Sequence, residues 1–161
     1  MDRYEDVRKF AVKAHEGQMR RGGEEPYVCH PIRVAEMVKE KGGSEEAVLV
    51  ALLHDVVEDT SVTFEECYQF LESEEAQEAL RLVTKMEGES SSKALKRLLK
   101  ASNRIALLVK ACDALDNSVI TEGMKDYLRS NNRSPEEALN RYLEKSRVCF
   151  EALLALESNQ L

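Results

Sequence analysis

The sequence predicts an all-α protein, a single helical bundle of about eight helices, and three observations carry that expectation. Apolar residues recur three and four apart along most of the chain, the period of a helix that buries one face. Residues that cap helices precede many of these segments. Breakers are scarce: seven Gly and three Pro in 161 residues are too few for a sandwich or barrel of many short strands.

The elements follow in order. Residues 2–15 put Tyr4, Val7, Phe10, Ala11 and Ala14 on one face. The stretch QMRRGGEEP is a loop rich in Gly and charge. Pro31 suits the first turn of a helix carrying Ile32, Ala35 and Val38, which Gly42 and Gly43 end. Ser44, with Glu45 and Glu46 after it, reads as an N-cap followed by acids that complement the helix dipole. That helix runs through AVLVALL to about Val57. Thr63 with Glu66, and Ser134 with Glu137, have capping-box spacing, and Pro135 stands at a first helical position. Between them lie helices near 64–71, 74–86, 92–101 and 104–121, with Ser90–Ser92 as a short loop and cap. A last helix over 135–157 carries Ala138, Tyr142, Val148, Leu153 and Leu154. AVLVALL is β-branched enough for a buried strand, but the Ser44 cap and the length of the run favour helix.

Composition narrows the function classes. With 43% apolar and 33% charged residues the chain suits a compact, highly charged helical domain. A chain this long hides roughly 68–70% of its unfolded surface, enough for a core without staples. The formal charge of −7 and the lack of a basic stripe argue against a nucleic-acid polymer as partner. An anionic ligand would need local cations. Cys29, Cys67, Cys112 and Cys149 form no CxxC and match no zinc spacing, so they read as small buried hydrophobes. Free thiols, and MDRYEDVRKF without an apolar signal core, point to the cytoplasm; no run approaches the ~20 residues of a membrane span.

The chemistry lies where polar residues interrupt apolar runs. ALLHDVVEDT sets His54 and Asp55 among Leu and Val, where a charge is costly unless paired or metal-bound. On a helix the two lie roughly 100° apart and can converge on one ion. Glu58 and Asp59 follow one turn later on the same faces. Asp113 interrupts IALLVKACDALDN, with Asp116 and Asn117 three and four residues on. His30 stands in PYVCHP, at a loop end before a helix. Together His30, His54, Asp55 and Asp113 offer one divalent ion two imidazoles and two carboxylates, a set without thiolate that suits Mn²⁺ or Fe²⁺ better than structural zinc. An ion with open positions makes a bound water acidic. Glu58 and Asp59 are placed to orient or deprotonate that water and to protonate a leaving group. Taken singly, each has a plainer reading: Asp55 bridged to Arg33 or Lys110, Asp113 facing a solvent crevice. His15, in KAHEGQ, reads as a structural histidine at a helix end.

The order AHEGQMRR, EEPYVCHP, ALLHDVVEDTSVT, LVTK, LLVKACDALDN resembles the hydrolase domain of the RelA/SpoT proteins, within the HD-domain phosphohydrolases. The similarity runs from about residue 1 to 121 and is nearest to the stand-alone small alarmone hydrolases, the metazoan SpoT homolog-like form. HD alone is a weak motif, whereas HDxxED with PYxxHP upstream and KxxDxxxN downstream is specific. The resemblance implies one HD domain over residues 1–161 and an Mn²⁺-dependent 3′-pyrophosphohydrolase of guanosine tetra- and pentaphosphate. It implies His30, His54, Asp55 and Asp113 as metal ligands and Glu58 and Asp59 as the acids that handle water. Arg20, Arg21, Asn117 and Lys110 are implied on the substrate side, with Lys85 a recurring lysine of open role. No synthetase segment resembles those of the long RelA/SpoT proteins, and RRGGEE lacks the spacing of a phosphate loop.

Departures stand beside the match. DALDN has Ala114 where the family has arginine, and Asp116 where it often has His or Tyr; Ile120 replaces a threonine. These changes are expected to alter the nucleotide-contacting wall. They keep open an HD phosphohydrolase of another nucleotide: an adenosine alarmone, a nucleoside monophosphate or an NADPH-like phosphorylated dinucleotide. A non-catalytic nucleotide-binding module is a further reading, disfavoured by the Glu58–Asp59 pair. Oligomeric state is not legible.

Overall fold

Ten helical segments follow one another along residues 2–159, the part of the chain that the computed structural model describes. They are α1 (Arg3–Ala14), α2 (Cys29–Glu40), α3 (Glu45–Leu53), α4 (Val56–Asp59), α5 (Phe64–Tyr68), α6 (Glu74–Val83), α7 (Ser91–Ala101), α8 (Arg104–Asn117), α9 (Glu122–Ser130) and α10 (Pro135–Ser158). Among the described residues the one extended pairing is an isolated bridge between Met19 and Pro26. AVLVALL is helical, and the all-α class holds.

Most helix starts are decided locally. The side chains of Asp2, Ser44, Thr63, Ser73, Ser90, Asn103, Thr121 and Ser134 each accept a backbone N–H of the first turn, each worth about 1 kcal/mol against alanine. Thr63 and Glu66 close the reciprocal capping box. The two helices without a side-chain cap, α2 and α4, are those that begin beside His30 and Asp55.

Two expectations change. The helix read through 44–57 divides at His54 and Asp55, because the His54 ring Nδ1–H donates to the Ala51 carbonyl at 2.6 Å. A side chain that takes an i−3 carbonyl competes with the backbone ladder and loosens the turn. The stretch 104–121 ends at Asn117; Thr121 then caps α9, a helix not anticipated, whose Met124 and Leu128 are buried. With its two turns of apolar spacing and single threonine cap, α9 gave a weak signal.

α3 is buried all round from Ala47 to Leu53, and α8 nearly so from Ile105 to Ala114. Helices apolar on every side belong in a core. α3 and α8 pack on each other and both on α2, while α10 lies along α8 and α1 and α6 flank α3. All four cysteines are free thiols, three of them buried, and burial pushes Cys67 up to about 12 and Cys112 up to about 11. That is packing chemistry, not reactivity. Among the described residues no helix is long and apolar enough to cross a membrane.

Candidate metal centre

The site forms where α2, the α3–α4 turn and α8 meet. His30 comes from the first turn of α2, His54 and Asp55 from the break between α3 and α4, and Asp113 from mid-α8. His30, His54 and Asp55 each offer one ligand atom, and these lie within 4.8 Å of one another. His54 Nε2 is 3.1 Å from Asp55 Oδ2, and His30 Nε2 is 3.5 Å from the same oxygen. Asp113 Oδ1 completes the group at 3.1 Å from His30 Nε2 and 3.6 Å from His54 Nε2. Four residues from three separate segments therefore converge, as their spacing suggested.

A divalent cation fits this donor set. His54 is wholly buried, its Nδ1–H is spent on Ala51, and Nε2 has no aligned hydrogen-bond partner. A buried nitrogen left unpaired costs free energy; aimed among two carboxylates and a second imidazole, it has a coordinating lone pair. The ionisation pattern agrees. Burial alone would lower the His54 and His30 pKa values, but the neighbouring aspartates outweigh it and raise both. Burial would raise Asp113 and Asp55; for Asp113 the Lys110 ammonium and both histidines, and for Asp55 His54 and His30, hold them below the usual carboxylate range instead. The two ionised carboxylates thus favour positive charge on the imidazoles beside them, either a proton or a cation in its place.

Neither alternative partner reaches Asp55. Lys110 Nζ binds Asp113 Oδ2 at 2.7 Å, and the guanidinium of Arg33 joins Asp116 and Glu25. Asp55 instead accepts from the Tyr27 hydroxyl at 2.7 Å. Glu58 and Asp59 stand one turn beyond on the exposed side. Glu58 Oε2 accepts from the Lys85 N–H at 3.0 Å, and its Oε1 is 3.7 Å from Lys85 Nζ. Asp59 is raised, by burial and by the Asp55 charge, so it keeps a proton to higher pH than an ordinary aspartate.

These residues border a cavity of about 600 Å³. His30, Asp55, Glu58, Asp59 and Asp113 line one side. Arg20, Arg21, Lys85, Lys110 and Lys145 bring cations to it, and Leu95, Leu98, Met124 and Tyr142 add apolar surface. Arg20 Nη2 donates to Asn117 Oδ1 at 3.1 Å, and Asn117 Nδ2 donates to Asp113 Oδ1 at 2.7 Å, so these two substrate-side candidates are tied to the centre. Arg21 lies farther out, its guanidinium 5.8 Å from the Tyr127 ring centroid. The loop that carries both arginines is seated by Gly22, whose φ of +95° and approach to the Gly123 backbone leave no room for a Cβ. His15 caps the end of α1 and binds Gln18 Oε1 at 2.8 Å, the structural role its position suggested.

One expectation is corrected. Ala114, Asp116 and Ile120 are absent from the cavity lining. Ala114 is packed in the core, and Asp116 turns to Arg33 and His30 behind the centre, its pKa held down to about 2 by those two partners against the opposing effect of burial. The DALDN segment therefore presents Asp113 and Asn117 to a ligand and hides its departures. Sequence reasoning missed Tyr27 and Lys145. Tyr27 precedes His30 by three residues within PYVCHP, a usable signal; Lys145 reaches the cavity only because α10 lies along α8.

Comparison with known proteins agrees with this architecture. Residues 8–148 match the HD domain family. The guanosine-3′,5′-bis(diphosphate) 3′-pyrophosphohydrolase of Haemophilus influenzae is 51% identical over 57 residues, 35% of this chain and 8% of that protein. The GTP pyrophosphokinase of Myxococcus xanthus is 35% identical over 117 residues, 73% of this chain and 15% of that one. A guanosine-3′,5′-bis(diphosphate) 3′-pyrophosphohydrolase of Aquifex aeolicus is 36% identical over 115 residues, 68% of this chain and 16% of that one. The matched stretches thus span 8% to 16% of these relatives' own length. A solved structure described as a metazoan ortholog of SpoT that hydrolyzes ppGpp shares the fold, with a TM-score of 0.64 at 24% identity, covering 89% of this chain and 95% of the other. On a match that takes in all four converging residues and the helices that deliver them, this chain belongs to the HD domain family.

Proposed function

We propose that this chain is a metal-dependent guanosine 3′,5′-bis(diphosphate) 3′-pyrophosphohydrolase, converting guanosine tetra- or pentaphosphate to GDP or GTP and pyrophosphate. One observation carries the reading: the buried, unpartnered His54 Nε2 converges with His30, Asp55 and Asp113, and these last three line a cavity that also holds an acid pair and five cationic side chains. The relatives whose names specify this reaction support the substrate. We take the ion to be Mn²⁺, as a thiolate-free N/O set suits, and the reducing cytoplasm as the compartment that free thiols fit.

His30, His54, Asp55 and Asp113 would hold the ion. Bound there, it would neutralise phosphate charge and make water acidic enough to supply a nucleophile near neutral pH. Glu58, exposed at the cavity one turn beyond His54, would accept a proton from the attacking water. Asp59, with its raised pKa, is the better proton donor to the leaving oxygen. Arg20, Lys85, Lys110 and Lys145 meet the phosphates. Arg20 can exchange its bond to Asn117 for a forked contact with phosphate. Leu95, Leu98, Met124 and Tyr142 supply apolar surface that suits a base.

The test is product analysis after incubating the purified protein with Mn²⁺ and guanosine tetraphosphate, beside a panel of other nucleotides. Pyrophosphate and GDP, lost on chelation, are expected. Phosphate release from a different nucleotide would move the substrate, and Mn²⁺ binding without turnover on any of them would overturn the enzyme reading.

A further inference from the structure

We infer that Asp116, clamped by Arg33, is a positioning residue that fixes the His30 imidazole for the cation; this rests on the metal-binding part of the proposed function.

The geometry is specific. Asp113 and Asp116 lie three apart on α8, so both point across to α2 and bracket one ring: Asp113 Oδ1 is 3.1 Å from His30 Nε2, and Asp116 Oδ2 accepts from His30 Nδ1 at 2.6 Å. Asp116 is 7% exposed, and a buried carboxylate persists only when paired. Arg33 supplies the pairing, its Nε donating to Oδ1 at 2.8 Å and its Nη2 to Oδ2 at 3.1 Å. The other edge of the same guanidinium forks onto Glu25 at 2.8 and 2.7 Å. Arg33 is thus held flat between two carboxylates and cannot swing away from Asp116.

Histidine coordinates through one nitrogen, and the hydrogen bond made by the other decides which. With Nδ1–H spent on Asp116, the lone pair of His30 lies on Nε2, facing His54, Asp55 and Asp113. His54 reaches the same end by another device, since its Nδ1–H goes to the Ala51 carbonyl, a backbone group no substitution removes. His30 depends on a side chain. Asp116 is one of the positions at which DALDN departs from the resembled pattern, and its contacts give that departure a use behind the centre.

The experiment measures Mn²⁺ affinity without nucleotide, from the electron paramagnetic resonance of free Mn²⁺, for wild type, Asp116→Ala, Asp116→Asn and Arg33→Gln. Histidine-ring ¹H–¹⁵N spectra of the Zn²⁺-loaded proteins accompany it. Asp116→Ala should weaken Mn²⁺ binding by about 10–100-fold and shift the His30 Nδ1–H resonance while leaving that of His54 in place. Asp116→Asn, whose amide oxygen still accepts from Nδ1–H, should recover most of the loss. Arg33→Gln, at the half-exposed outer end, should fall between, and it decides the matter if Asp116→Ala does not fold. Variants that fold with wild-type affinity and an unmoved His30 signal overturn the inference alone. Wild-type protein that binds Mn²⁺ but hydrolyses nothing overturns the proposed reaction alone, and wild-type protein that binds no Mn²⁺ overturns both.

Discussion

α3 and α8 are both core helices interrupted by polar residues, yet one breaks and the other does not. At the end of α3 the His54 ring turns onto its own helix and takes the Ala51 carbonyl, and the chain pauses for two residues before α4. In α8, Asp113, Asp116 and Asn117 satisfy themselves through Lys110, one another and residues of α2, so the backbone ladder runs on to Asn117. A buried polar side chain bends a helix when it competes for the backbone, and spares it when tertiary partners meet its needs. The two solutions serve different ends. The break frees Asp55, which accepts from Tyr27, to lean toward the cluster, whereas the unbroken helix holds its acids at fixed i+3 spacing.

The predictions probe that difference, beginning with the largest effect. Asp55→Ala removes an oxygen that lies 3.1 Å from His54 Nε2 and 3.5 Å from His30 Nε2; Mn²⁺ binding and turnover should be abolished, and Mn²⁺ binding at wild-type strength would exclude Asp55 as a ligand. Glu58→Ala, one turn on and outside the converging set, should leave Mn²⁺ affinity intact while kcat falls by about 10²–10⁴-fold; unchanged turnover would sink its role as base.

Asp113→Ala attacks the α8 side. It strands Lys110 and two buried histidines with one carboxylate fewer, and breaking such a pair costs about 3–5 kcal/mol, discounted because Lys110 keeps a fifth of its side chain in solvent. Chemical denaturation should show a clear loss of stability; none would mean that α8 holds its acids without strain from their neighbours.

The smallest effect is expected at the far end of α3. Burial would raise Glu46, but the Ser73 hydroxyl and the N–H groups of Glu72 and Ser73 outweigh it and lower its pKa. A lowered carboxylate stabilises the fold above its unfolded pKa, and that contribution is lost as pH falls through the folded value. Glu46→Gln should therefore flatten the acid limb of stability without touching turnover, as measured by thermal unfolding from about pH 2 to about pH 6, roughly two units either side of a carboxylate's usual range. An unaltered acid limb would show that α3 is anchored elsewhere.

How much of this was legible follows from where each signal resides. Caps at Ser44, Thr63 and Ser134 were readable because they depend on a few neighbouring residues. The convergence of His54, Asp55 and Asp113 was readable because polar residues inside AVLVALLHDVV and IALLVKACDAL are too costly to bury without a partner. The His54 break was not, because one side chain's choice between solvent, metal and backbone carbonyl has no periodicity. α9 escaped because its burial comes from packing under the 18–26 loop, where Glu24 Oε1 accepts the Gly123 N–H at 2.8 Å.

The sequence by itself determined an all-α chain and most of its helix starts, and it singled out His30, His54, Asp55 and Asp113 as residues that could converge, since helix periodicity, capping and the cost of buried charge all act over short range. Tertiary structure decided the rest. It placed Asp116 behind His30 instead of on the ligand wall, tied Arg20 to Asn117, and brought Lys145 from α10 to the cavity. Contacts between residues some 80 to 100 apart follow from how whole helices pack, and that packing is set by the sum of many apolar surfaces, none of which names its partner in the chain.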